Sequence, residues 1–192
     1  MKDIHKRNTD FFSEDDRLFL DKHGLDIQGN ISIDEAEIIS DWIAQENIEH
    51  GPHMVEKDRA FIFESAGQYG CIKIFSRQNN SMVGFMGLYK YGDLYEAGSL
   101  FVIPEFRNSG VGNMIQANLL LRYGHDRKIF LVTSIDYARK INQKTDLVMV
   151  TREELREDIL KTIESGGKML SNDDIYANKC LLLNKNFNGI NK

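Results

Sequence analysis

Gly110 and Gly112 stand one residue apart, between an apolar run that stops at Pro104 and a run of helical spacing that begins at Gly112. A strand end joined to a helix start in this way turns successive backbone N–H groups toward one point. The helix N-terminus adds roughly half a positive charge there. The missing Cβ atoms let an anion approach closely, and Arg107 stands at the mouth as a counter-charge. The segment Phe101-Val102-Ile103-Pro104-Glu105-Phe106-Arg107-Asn108-Ser109-Gly110-Val111-Gly112-Asn113 is therefore a candidate diphosphate loop. The dinucleotide pattern GxGxxG fails because Ile115 occupies its third glycine, and no Gly-Lys-Ser/Thr follows to make a P-loop. A GxG alone is also compatible with a plain tight turn between strand and helix.

The flanking elements set the context of this loop. Ser32 and Glu35 have capping-box spacing ahead of Ile38, Ile39, Trp42 and Ile43, which predicts a helix ending near Gly51-Pro52. Beta character dominates next. Cys71 to Phe75 alternates, Gln78 to Ser81 reads as a turn, and Met82 to Tyr89 is a second strand. Its Gly84 and Gly87 mark close backbone approach. Tyr91-Gly92-Asp93 turns the chain into a third strand, Ala97 to Ile103. Gly112 to Tyr123 is a helix, and Ile129 to Ser134 is a wholly apolar strand of the buried type. The prediction is an antiparallel meander followed by a right-handed parallel crossover. Further on, Thr151 and Glu154 open a helix that Gly166-Gly167 ends, and Ile175 to Leu183 reads as a closing strand or a helix. The domain boundaries expected are an N-terminal arm over residues 1–24, the main domain over 25–150, and an extension over 151–192 that packs on the same domain. The apolar run Cys180-Leu181-Leu182-Leu183 supplies either a last core element or a cover for the substrate cleft or a homodimer contact.

Composition removes several function classes. A chain of 192 residues, 42% hydrophobic and 28% charged, folds without disulfides or metal. A net charge of −5 argues against broad nucleic-acid binding, which needs excess Lys and Arg. Cys71 and Cys180 have no CxxC spacing and read as reduced thiols. Met1 to Asp16 carries no apolar h-region, and no apolar run approaches the ~18 residues of a membrane span. The expectation is a cytoplasmic protein without a membrane partner. His50-Gly51-Pro52-His53 places two imidazoles on a turn with no third ligand nearby, so no metal is expected. No Ser or Cys has the context of a nucleophile elbow.

Arg107-x-x-Gly110-x-Gly112, preceded by Leu100-Phe101-Val102-Ile103-Pro104-Glu105-Phe106, resembles the acyl-CoA signature of the GNAT superfamily of N-acetyltransferases. The resemblance covers residues 70–135, extends to the helix from Ser32, and is absent beyond Thr151. It implies an α/β fold with a mixed, mostly antiparallel central sheet flanked by helices, in which a splayed strand binds acyl-CoA. Carried over, Phe101, Val102 and Ile103 would pair with the pantetheine, while Arg107, Asn108, Gly110, Val111, Gly112 and Asn113 would hold the diphosphate. The thioester carbonyl would lie by the backbone N–H of Val102 or a neighbour, which stabilises a developing oxyanion.

The family's catalytic groups transfer less directly. Many relatives place a Glu on the strand before the loop, where this chain has Gly98 and Ser99. Glu96, two residues earlier on the face of Gly98, is the substitute base, although a solvated strand-end carboxylate is an equal reading. The family's acidic Tyr would fall at Asn142, within the loose match Ala138 to Leu147. Tyr137 is then the candidate acid and Asn142 a candidate hydrogen-bond partner for the pantetheine. The function implied is direct transfer of an acetyl or other acyl group from acetyl-CoA to a small-molecule or protein amine. The alternatives are a catalytically silent acyl-CoA-binding or regulatory module, and an N-acyltransferase using long-chain acyl-CoA or acyl carrier protein.

Overall fold

The computed structural model describes residues 12–50, 55–134, 147–150, 154–165 and 179–186. Helix α1 (Glu14–Lys22) and strand β1 (Leu25–Gln28) come first, followed by α2 (Ile33–His50) and α3 (Arg59–Tyr69). The meander is β2 (Cys71–Ser76), β3 (Met82–Tyr91) and β4 (Leu94–Val102). A single 3-10 turn over Pro104–Phe106 leads to α4 (Val111–Tyr123) and β5 (Lys128–Ser134). The last described elements are β6 (Val148–Val150), α5 (Glu157–Ser165) and β7 (Lys179–Leu183).

Local chemistry accounts for most of these boundaries. The Ser32 hydroxyl accepts from the Glu35 N–H at 3.1 Å, and the Glu35 carboxylate accepts from the Ser32 N–H at 2.7 Å, the expected capping box of α2. The other oxygen of Glu35 takes the buried Lys73 ammonium at 2.7 Å, so the cap also fastens α2 to β2. The buried stripe of α2 is Ala36, Ile39 and Ile43, whereas Ile38 is exposed, one position off the stripe that the sequence suggested. Helix α3 lies in the stretch between the expected helix end at Gly51-Pro52 and the expected strand at Cys71, where the sequence predicts no element. Asp58 caps it by accepting from the Phe61 N–H at 2.8 Å, and Ile62 and Ala66 bury its inner face. Within the region expected to be an arm, α1 carries its own capping box between Ser13 and Asp16, and Leu20 is buried. The helix predicted from Thr151 begins instead at Glu157, and Thr151 lies outside the described residues.

Among the described residues the sheet has seven strands in the order β1-β2-β3-β4-β5-β7-β6. All the pairs are antiparallel except β4 with β5, the predicted crossover. That parallel pairing is short: Leu94↔Lys128, Tyr95↔Ile129 and Glu96↔Phe130. Among the described residues, beyond Glu96 strand β4 pairs with β3 alone, and beyond Phe130 strand β5 pairs with β7 alone. The ladder between β3 and β4 carries a bulge: Phe85 faces Phe101 and Gly87 faces Gly98, so Ser99 and Leu100 oppose Met86. Ser99 has φ +56°, a left-handed backbone that turns the strand there.

Helices cover both faces. Leu20 of α1 and Val111, Met114, Ile115 and Leu119 of α4 pack with Ile72, Val83, Met86 and Leu88 on one face. Ile39, Ile43, Ile62 and Ala66 of α2 and α3 pack with Phe85, Tyr89 and Phe101 on the other. Gly84 is needed for close approach, because a Cβ there would stand 2.6 Å from Ile115 Cδ1. The tail resolves the helix-or-strand ambiguity in favour of a strand: β7 fills the place between β5 and β6, and Leu181, Leu182 and Leu183 are buried. The Asn184 side chain then accepts from the Ile129 N–H at 3.1 Å and donates to the carbonyls of Arg127 and Gly124, pinning β7 to the start of β5.

Because β7 lies inside the sheet, Leu182→Ala should cost about 2–5 kcal/mol of stability. Urea unfolding should show a lower midpoint at an unchanged slope. A midpoint equal to that of the wild type would mean that β7 is peripheral.

Candidate active site

The parting of β4 and β5 creates a wedge whose vertex is the Glu96/Phe130 pair. Along its β4 edge, backbone alternation decides which groups face the opening. The Ile103 N–H donates to the Val83 carbonyl at 3.0 Å, and Phe101 pairs with Phe85. Val102 lies between them, so its N–H and C=O point away from β3, toward the wedge. Of the three residues expected to present backbone there, Val102 is therefore the one aimed at it. Phe101 contributes its ring to the core, edge-on to Trp42 at 5.3 Å.

The loop after β4 is wound by two left-handed residues, Asn108 at φ +63° and Gly110 at φ +98°. At +98° a side chain would be strained, so Gly110 is required by its backbone. The Ser109 hydroxyl donates to the Phe106 carbonyl at 2.7 Å and holds the curve. Helix α4 then starts with Val111, whose side chain is fully buried and anchors the helix end in the core. The first N–H to find a carbonyl within this turn is that of Met114, bonded to Gly110 at 3.0 Å. The amides of Val111, Gly112 and Asn113 precede it and have no intrahelical acceptor, as at any helix start. At Gly112 a Cβ would make only ordinary contacts, 3.6 Å to Leu100 and 3.7 Å to Val102, so protein packing does not demand a glycine. The loop borders a cavity of about 560 Å³ between Gly110 and Asn113 on one side and Asp16 and Phe19 of α1 on the other. Of the three residues with orphan amides Asn113 lines the cavity, whose α1 side carries Asp15 and Asp16; orphan amides at a helix N-terminus are a fit for an anionic group such as a diphosphate.

Arg107 does not project freely from this loop. Its Nε donates to the Val102 carbonyl at 3.1 Å, and a terminal nitrogen lies 3.8 Å from Glu46, whose carboxylate also accepts from Trp42 Nε1 at 3.1 Å. The guanidinium ties the loop back to the end of β4 and to α2 and is half exposed at the mouth.

Glu96 is not a solvated strand-end carboxylate. Strand β4 begins at Leu94, three residues earlier than the sequence suggested, and Glu96 is 3% exposed. A Cβ on Gly98 would stand 2.8 Å from Glu96 Oε1. The Glu96 carboxylate thus fills the space that a residue 98 side chain would occupy. Around it lie groups that sequence reasoning missed. Lys57, equally buried, brings its ammonium to 3.8 Å from Glu96 Oε2 and over the Tyr89 ring at 4.6 Å. The Tyr91 hydroxyl donates to Glu96 Oε2 at 3.3 Å, and the Tyr89 hydroxyl donates to Ser99 at 2.9 Å. Burial, then the Glu96 charge, pushes the Tyr91 phenol up. Burial also pushes Tyr89 up, against the Ser99 hydrogen bond. Both phenols therefore stay protonated near neutrality. A hairpin loop of Gly92-Asp93 puts Tyr89 opposite Glu96, a register the sequence could have disclosed. Nothing in the sequence signals Lys57.

The remaining sequence candidates separate clearly. Tyr137 and Asn142 lie outside the described residues. Cys71 is fully buried, and burial pushes its thiol up to about 12, so it packs as a small apolar residue rather than acting as a thiolate.

Residues 36–142, more than half of the chain, match the Acetyltransferase (GNAT) family, and the chain belongs to that family. It is similar in fold to N-acetylglutamate synthase from Neisseria gonorrhoeae, solved with coenzyme A and N-acetyl-glutamate, at TM-score 0.58 and 16% identity over 83% of this chain. The match spans 34% of that chain, about a third of the synthase. An acetyltransferase from Streptococcus agalactiae matches at TM-score 0.54 and 15% identity, over 84% of this chain and 98% of that one. Escherichia coli ElaA matches at TM-score 0.54 and 13% identity, over 84% of this chain and 99% of that one. No curated protein matches the sequence.

The spare room at Gly112 has a measurable consequence. Gly112→Ala should keep or raise the melting temperature, since alanine favours a helix. Gly112→Val should weaken CoA binding about tenfold, roughly 1.4 kcal/mol, in a protein that still folds. Calorimetry with CoA reads the affinity, and an unchanged value in folded Gly112→Val would remove the diphosphate from this loop.

Proposed function

We propose that the chain transfers an acetyl group from acetyl-CoA to an amine by direct attack, with no covalent enzyme intermediate. The observation that carries this reading is the wedge itself. It has a strand edge at Val102 whose N–H points away from β3 while its carbonyl takes Arg107, orphan amides at one end and a buried carboxylate at the vertex. An unpaired strand edge binds an extended amide-bearing chain as an added strand, and the pantetheine arm is such a chain. The diphosphate suits the amides of Val111, Gly112 and Asn113, with Asn108 and Gly110 shaping the loop and Arg107 at its mouth. The Val102 N–H is the candidate donor to the oxygen of the thioester as charge develops on it.

The amine must lose a proton to react, since amines are mostly protonated at neutral pH. In this reading Glu96 takes that proton, directly or through water, while the new C–N bond forms and the C–S bond breaks. The departing thiolate takes a proton from an acid, for which Tyr137 stands as the proposal, and Asn142 as a pantetheine contact. The acceptor is a small-molecule or protein amine, and the setting is cytoplasmic. A catalytically silent CoA-binding role is favoured by one feature, the pairing of Glu96 with Lys57, which occupies the carboxylate.

Thiol release from acetyl-CoA over a panel of amines, together with calorimetry, separates these readings. Turnover with acetyl-CoA supports the proposal. Tight CoA binding without turnover selects the silent module, and a strong preference for long acyl chains selects the long-chain enzyme. Within an active enzyme, Glu96→Gln should lower kcat on the order of 10²-fold while leaving CoA affinity intact. Full activity in that variant would move the base elsewhere.

A further inference from the structure

We infer that Lys57 is a positioning residue for the acyl-transfer step: its ammonium holds the Glu96 carboxylate ionised and in place over Gly98 at the vertex of the wedge. The inference rests on the reading of Glu96 as the base and adds a residue outside the acyl-CoA loop. It starts from a physical conflict. A carboxylate that is 3% exposed loses its hydration, and burial alone favours the neutral acid, which cannot accept a proton. A carboxylate must then be paired and hydrogen-bonded to stay charged. The described titratable groups facing Glu96 are Lys57, from the segment before α3, and Tyr91 and Tyr89, from β3; on the β5 side its strand partner is the apolar Phe130. Among these described neighbours Lys57 brings the positive charge, to 3.8 Å from Glu96 Oε2.

Lys57 is built into its place. The Ser40 hydroxyl of α2 donates to its backbone carbonyl at 2.8 Å. The next residue, Asp58, caps α3, which fixes the backbone on the other side. The ammonium rests over Tyr89 at 4.6 Å, and Phe61 of α3 stacks against the same ring, centroid to centroid 5.6 Å. Such a cation is costly to bury and is retained where it has a partner of opposite charge. At 3.8 Å the pair attracts without the short contact of Lys73 and Glu35 at 2.7 Å. The attraction favours the ionised carboxylate, while the longer distance leaves it able to turn to an incoming N–H. Glu96 Oε1 occupies the space over Gly98, and Oε2 faces Lys57 and Tyr91.

The direction of the effect follows from the sign of the charge. Removing the ammonium makes Glu96 a weaker acid, so it stays protonated, and is lost as a base, up to a higher pH. Lys57→Met should shift the acidic limb of the kcat/KM profile upward by about one pH unit or more. Lys57→Arg, which keeps the charge, should restore most of the wild-type profile, whereas loss of packing alone would not distinguish the two. In the Glu96→Gln background Lys57→Met should add little further loss. In the unmutated protein, carbon-13 NMR of the Glu96 carboxyl should show it ionised at neutral pH, a result that does not depend on any variant folding. A protonated Glu96 at pH 7, an unmoved acidic limb in folded Lys57→Met, or an equal shift in Lys57→Arg would overturn the role of Lys57. Full activity of Glu96→Gln would instead overturn the assignment of the base.

Discussion

The site depends on the failure of two parallel strands to stay together. β4 and β5 pair through Glu96 and Phe130 and then part. Each keeps its other neighbour. The bulge at Ser99 and Leu100 turns β4 with β3, and β7 follows β5 from Phe130 to Ser134. The sheet is two half-sheets joined by a short seam, and on the β4 edge beyond it the Val102 carbonyl is satisfied by Arg107 rather than by a strand. The insertion of β7 between β5 and β6 is therefore part of the site's construction, since it gives β5 a partner that does not require β4.

Two different electrostatic devices meet at the ends of this opening. At the far end, backbone amides of α4 offer partial positive charge with no side-chain entropy to lose, and the buried Val111 fixes the helix start against the sheet. At the vertex, full charges are buried in pairs. Glu96 stands against Lys57, with Tyr91 donating to the same oxygen. The first device suits a permanent anion. The second suits a group that must gain and lose a proton, because its balance can be displaced by a single neighbouring charge.

Local signals in the sequence disclosed the loop, the capping box of Ser32 and Glu35, the meander and the parallel crossover. Each depends on neighbours within a few residues: Gly110 and its left-handed backbone, the hydroxyl of Ser32, the alternation of β2. Helix α3 was missed because its residues, such as Phe61, Ile62 and Phe63, have as much β character as helical, and the Asp58 cap that decides the matter is a single hydrogen bond. β4 was begun too late, at Ala97, because Tyr95 and Glu96 look like a polar strand end when the hairpin register is not counted through Gly92-Asp93. Lys57 was not legible at all. Its partner is distant in sequence, and a lysine in a polar stretch carries no mark of burial. The match of Glu96 to the space over Gly98 was suggested by face alternation, but its depth in the protein was not.

The claim on which everything else rests is that the parted edge of β4 and the first turn of α4 together receive acyl-CoA. Backbone amide NMR shifts recorded while CoA is titrated test it most directly. The account predicts that saturation moves the amides of Val102, Val111, Gly112 and Asn113 most. Saturable binding that leaves these four unmoved and shifts amides elsewhere would contradict it.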